Sequence, residues 1–153
     1  MRSNMEKKDM EYMKLANQLC FPLYAASRSV ISLYTPALKE LGLTYTQYIL
    51  MLVLWETDGI TVGEICERLM LDNGTVSPLL KKLQNEGYLE KKRSEKDDRI
   101  VIVSLTEKGR ELQEKASRVP ETVARCIDLS AEKATQLYQL LYELMENNKE
   151  RNK

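Results

Sequence analysis

Cys20 is the side chain in this sequence best suited to do chemistry, and Tyr24, Tyr34 and Tyr45 follow it. The thiolate, not the thiol, is the nucleophile, so a reactive cysteine needs neighbours that favour the charged form. A tyrosine hydroxyl can do this by donating a hydrogen bond to the sulfur. The start of a helix can do it too, through its positive end. The chain holds three cysteines and no histidine. That composition excludes histidine-based acid–base catalysis and any His-ligated zinc, and no cofactor or metal is called for. Three cysteines also make no disulfide framework. Cys66, beside Ile65, reads as packing, whereas Cys126 lies after Pro120 in the run VARCIDLS.

A second set of residues is suited to binding rather than reaction. Asp72-Asn73-Gly74-Thr75-Val76-Ser77-Pro78 opens an amphipathic stretch, with Lys81 and Lys82 one turn further on. Asn73, Thr75 and Ser77 are short hydrogen-bonding groups, and either Asn73 or Thr75 can cap the helix. The lysines suit phosphates. Net charge is zero, yet between Thr75 and Arg93 five cations (Lys81, Lys82, Lys91, Lys92, Arg93) face two anions (Glu86, Glu90). Screening confines electrostatics to about 8–10 Å, so this local excess is what a polyanion meets. Further on, Lys96 and Arg99 occupy a charged turn. Asp97 can orient the Arg99 guanidinium, and an arginine so placed suits a narrow minor groove.

The elements that carry these groups follow from periodicity. At 153 residues, 43% apolar and 30% charged, the chain is one domain or a core with helical extensions. No apolar run is long enough to cross a bilayer, and Met1 to Lys14 lacks a signal peptide's apolar stretch, so a cytoplasmic location is expected. Apolar residues recur at helical spacing from about Met10 to Leu41. Pro22 either restarts a helix near Cys20 or kinks a longer one, and Gly42 closes the segment. Thr44 with Gln47, and Thr61 with Glu64, read as capping boxes of two further helices. The first of these is apolar nearly all round and so central. Leu71 to Gly74 reads as a turn, followed by a helix from about Thr75 to Glu86 that stops at Gly87. Leu89–Arg93 and Arg99–Ser104 read as two strands around the tip Ser94–Asp98. Thr106 caps a helix broken by Pro120. Ser130 caps a last helix with Leu137, Tyr138, Leu140, Leu141, Leu144 and Met145 on one face. The fold expected is mainly α with a small β-hairpin wing. It is a winged helix-turn-helix, which sets one helix and one hairpin on DNA.

The runs LDNGTVSPLLKKL and KRSEKDDRIVIVSLTEKG closely resemble the MarR family of winged-helix repressors. Its wing pattern is matched by Asp97, Arg99, Leu105, Thr106 and Gly109, and the likeness spans roughly Leu15 to Met145. Within the family, NQLCFPLYAASR resembles the organic hydroperoxide sensor branch, the OhrR proteins. The resemblance implies a homodimer with interlocked terminal helices on a pseudopalindromic double-stranded DNA operator. It implies that Cys20 is the peroxidatic thiol, that Tyr34 and Tyr45 bond to its thiolate, and that organic hydroperoxide is the effector. Some members of the branch use a resolving cysteine in the C-terminal region of the partner subunit. Cys126 is either that residue or packing.

The expected division is 1–43 for N-terminal sensor and dimerisation helices, 44–110 for the winged helix-turn-helix, and 111–153 for C-terminal dimerisation helices. The expected function is that of a redox-sensing repressor rather than an enzyme. Two other readings are a repressor released by a small phenolic ligand, with Cys20 incidental, and a thiol peroxidase, for which an Asp97/Arg99 wing would have no use.

Overall fold

The computed structural model describes residues 10–95, 97 and 99–151. After a 3-10 turn at Leu15–Asn17, α1 spans Cys20–Glu40 and α2 Tyr45–Glu56. A short strand β1 (Ile60–Thr61) leads into α3 (Val62–Leu69) and α4 (Asn73–Asn85). The wing strands are β2 (Leu89–Arg93) and β3 (Val101–Leu105). The chain ends in α5 (Glu107–Ala116), α6 (Val119–Ala124) and α7 (Ala131–Arg151).

Pro22 starts a helix rather than kinking one. It lies in the first turn of α1, where a missing N–H costs nothing. Gly42 then ends α1 in the left-handed region at φ +70°. Gly42 N donates to Lys39 O at 3.1 Å and Leu43 N to Leu38 O at 2.9 Å. Leu38 and Leu43 are both buried beside this doubly bonded stop. Both capping boxes form as the spacing predicts, at Thr44/Gln47 and Thr61/Glu64. Helix α2 is the centre of the core: Tyr48, Leu50, Met51, Val53 and Leu54 are buried along it, and it packs against α1, α3, α4 and β3.

Four boundaries differ from the sequence reading. The turn between the DNA-motif helices is Met70–Asp72, with Met70 left-handed at φ 54°, so α4 begins at Asn73 rather than Thr75. The second wing strand runs Val101–Leu105, not Arg99–Ser104. The sheet has three strands in the order β1-β3-β2, with Ile60 opposite Val103 and Lys91 opposite the same residue from the other side. Pro120 opens α6 instead of ending the helix before it, and that helix stops at Ala116.

Apolar side chains remain exposed at both ends of the chain. Leu15, Leu19, Phe21 and Tyr24 are uncovered near the start, and Leu137, Tyr138, Leu140, Leu144 and Met145 along α7. No helix among the described residues is long and apolar enough to cross a membrane.

Candidate DNA-reading surface and thiol site

The N-terminus of α4 is built by Asp72. Its Oδ1 accepts from Thr75 N at 2.8 Å, and its Oδ2 from the Thr75 hydroxyl at 2.9 Å. Those two bonds, the backbone one first, hold the Asp72 carboxyl below the usual carboxylate range. Asp72 is therefore the cap, a role the sequence left between Asn73 and Thr75. A Cβ on Gly74 would lie 2.9 Å from Asp72 Oδ1, so glycine lets the carboxylate fold over the helix end. Val76, Leu80 and Leu83 are buried under α4. Asn73, Ser77 and Lys81 follow each other at four-residue intervals on an exposed row, and Thr75 and Lys82 are exposed beside it.

The wing tip is tied as the sequence predicts. Asp97 Oδ1 accepts from Arg99 N at 3.0 Å and from Arg99 Nε at 3.2 Å. The carboxylate holds the side chain at its root, while 91% of that side chain faces solvent. Lys96, assigned to the same tip, lies outside the described residues. Between wing and helix runs an open groove of about 470 Å³, bounded by Val62 and Gly63 at the start of α3, by Asn73 and Ser77, and by Lys91 and Arg99. One groove thus joins the α4 terminus to the wing arginine, with cations along the wing side.

Cys20 is the first residue of α1 and is exposed, so it sits at the positive end of that helix. Tyr34 and Tyr45 meet edge to face with ring centroids 5.0 Å apart, and Tyr48 joins Tyr34 at 5.9 Å. Burial, and then the neighbouring Tyr34, holds the Tyr45 phenol above its ordinary value. Burial does the same for Tyr48, with Tyr34 and Tyr45 adding to it. Tyr45 and Tyr48 therefore keep their protons, and can donate, at neutral pH. The structure brings the two predicted tyrosines together but does not bring Cys20 to them within one chain. Cys20 and Tyr34 are fourteen positions apart on one helix, a rise of about 21 Å. Tyr24, one turn from Cys20, accepts instead from the Arg28 guanidinium at 3.0 Å.

Cys126 is exposed in the turn after α6, and its thiol donates to Thr122 O at 3.4 Å. Cys66 is half-buried against the core, as read from sequence.

A family model described as "Transcriptional regulator SarA/Rot" matches residues 32–116. The organic hydroperoxide resistance transcriptional regulator of Bacillus subtilis is 45% identical over 148 residues, covering 97% of this chain and all of that one. Reduced AbfR bound to DNA, a protein of Staphylococcus epidermidis, superposes with a TM-score of 0.78 at 34% identity, covering 95% of this chain and 99% of that one. The disulfide form of AbfR, at the same 34% identity and covering 97% of each chain, superposes at only 0.60. The fold described above is thus nearer to the reduced, DNA-bound form of that relative than to its disulfide form. With near-complete coverage at these identities, the chain belongs to the MarR-type winged-helix transcriptional regulators, in the branch of the organic hydroperoxide resistance regulator.

Proposed function

We propose that this protein is a dimeric repressor that leaves its operator when organic hydroperoxide oxidises Cys20. The observation that carries this is the separation of an exposed Cys20, at the start of α1, from the Tyr34/Tyr45 pair packed about 21 Å further along that helix. Such a chain completes its thiol site only by pairing with a second copy, whose Tyr34 and Tyr45 approach the first copy's Cys20. The apolar side chains left exposed from Leu15 to Tyr24 and from Leu137 to Met145 are the surfaces such pairing covers, since uncovered patches of that kind mark interaction sites. Residues 44–110 are then the DNA-reading unit. A regulator of this kind works in the cytoplasm, where its operator lies.

In the chemical step the Cys20 thiolate attacks the terminal oxygen of the hydroperoxide. The O–O bond breaks, the sulfur becomes a sulfenic acid, and the alkoxide leaves and takes a proton. An anionic acceptor of phenol hydrogen bonds is replaced by a larger neutral group. The seam between subunits must then repack, and the spacing of the two wings changes with it. The direct test is operator binding with and without one equivalent of cumene hydroperoxide. Release by one equivalent supports the reading. Release only by an aromatic ligand, or multiple turnover with a reductant, refutes it.

The DNA side has its own expected result. Arg99→Ala weakens operator binding by roughly 1–3 kcal/mol per half-site at fixed salt, because a wing contact is lost. Unchanged affinity in a folded dimer would remove the wing from the interface.

Cys126 is the resolving thiol in this reading, which its exposure as a free cysteine in the turn before α7 supports. Its thiol would displace water from the partner's Cys20 sulfenic acid, leaving an intersubunit disulfide. That bond needs the two Cα atoms within about 7 Å, so local opening near Cys20 precedes it. On a non-reducing gel, peroxide should give a covalent dimer in the wild type and none in Cys126→Ser. A wild-type band that stays monomeric, with one small thiol on Cys20, would make Cys126 a packing residue.

A further inference from the structure

The start of α4 presents three short polar side chains, and their hydrogen bonds differ. A hydroxyl has one hydrogen to give. That of Thr75 goes to Asp72 Oδ2 at 2.9 Å, and that of Ser77 to Asn73 Oδ1 at 2.9 Å. Both hydroxyl donors are therefore used inside the helix. The Asn73 amide nitrogen, with two hydrogens, has no acceptor among the described residues. Asn73 is the first residue of α4, is exposed, and lines the groove that also holds Arg99. The polarity of the helix end favours Oδ1 toward it and Nδ2 away from it, since its backbone N–H groups attract Oδ1 and repel Nδ2.

We propose that Asn73 determines operator specificity by donating from Nδ2 to a base edge in the major groove, and that Ser77 is the positioning residue that aims it. The inference rests on the DNA-binding reading above and names the base chemistry that surface reads. Asparagine usually reads adenine with its oxygen and nitrogen together. Here Ser77 already holds the oxygen, so the nitrogen with its two hydrogens is the freer reading group. Guanine alone presents two adjacent acceptors, N7 and O6, for the two hydrogens of one amide nitrogen, whereas adenine and thymine each present one. Thr75, held by Asp72, fixes the helix end and reads no base by donation.

The test is selection of operator sequences from a randomised duplex pool by the full-length dimer. Wild type should prefer guanine at one position of each half-site. Asn73→Ala should lose that preference by roughly tenfold. Asn73→Asp keeps an oxygen for Ser77 but offers only acceptors, so it should prefer cytosine, whose N4 donates. Ser77→Ala frees the amide to turn and should admit adenine at the same position, while Ser77→Thr, which keeps the hydroxyl, should restore guanine. Two results overturn the proposal: adenine in the wild-type profile at the position that Asn73→Ala relaxes, or a profile unmoved by Asn73→Asp. A wild-type dimer that selects no sequence at all would instead sink the DNA-binding reading beneath it.

Discussion

One methyl group at Gly109 should unfold this protein under conditions where the wild type is stable. A Cβ there would lie 2.1 Å from Tyr88 O and 3.1 Å from both Tyr88 C and Leu105 Cδ2. The nearest obstacle is backbone, so no side-chain rotation relieves it. The backbone around it is also tied. Tyr88 O accepts from Thr106 N at 3.1 Å, and the Thr106 hydroxyl donates to Gly87 O. Gly109 N donates to Thr106 Oγ1, and Gly109 O accepts from Trp55 Nε1 at 2.9 Å. Moving α5 away from β2 breaks the Trp55 bond and the cap together. Overpacking of this kind, with a half-buried donor left unpaired, costs roughly 3 kcal/mol. The check is the urea midpoint of Gly109→Ala beside Gly63→Ala. At Gly63 the nearest atom to an added Cβ is Thr61 Oγ1 at 3.8 Å. A helical Gly→Ala change of that sort is neutral or stabilising. Equal midpoints would mean that α5 and the base of the wing do not approach as described. The glycine of the Leu-Thr-x-x-Gly pattern thus serves to lock the wing root to α2, not to touch DNA.

Local signals were legible in the sequence where one interaction decided the outcome. Thr44 with Gln47 and Thr61 with Glu64 each place two reciprocal bonds three residues apart, and both formed. The left-handed stops at Gly42 and Gly87 were legible for the same reason. The sequence was ambiguous where one residue type serves two ends. Pro120 could stop a helix or begin one, and only the burial of Val119 and Val123 settles that it begins α6. The cap of α4 was left between Asn73 and Thr75; Asp72 takes it because its carboxylate accepts two bonds from Thr75 at once. β1 was invisible, since two residues carry no alternation and are strand only through pairing with β3. The local geometry of the expected DNA-reading residues was mostly legible, because a helix N-terminus and a hairpin tip are local. Resemblance groups Cys20 with Tyr34 and Tyr45 as an expected thiol site, and helix rise keeps them apart within one chain.

That separation yields a decisive expected result. Cys20→Ser should bind operator about as tightly as wild type and should not be released by organic hydroperoxide, since an alcohol keeps the shape of the site without a thiolate to attack. Release of this variant by peroxide would remove Cys20 from the mechanism. Tyr34→Phe/Tyr45→Phe should oxidise slowly, because two donors to the thiolate are gone. At roughly 1.5–3 kcal/mol for a hydrogen bond to a charged group, even one such loss slows a thiolate reaction by at least about tenfold. Burial and Tyr34 keep the Tyr45 proton in place at neutral pH, so the deleted group is a donor there. A mixed dimer then separates the two geometries. One subunit carries Cys20→Ser with both tyrosines, and the other keeps Cys20 but carries both phenylalanines. If each site is built across subunits, the surviving Cys20 faces intact tyrosines and oxidises at the wild-type rate. If each site is built within a chain, it faces phenylalanines and reacts slowly. Counting sulfenic acid formed per surviving thiol over time reads out the difference. The helix rise of about 21 Å against a hydrogen-bond length of about 3 Å commits this structure to the fast outcome.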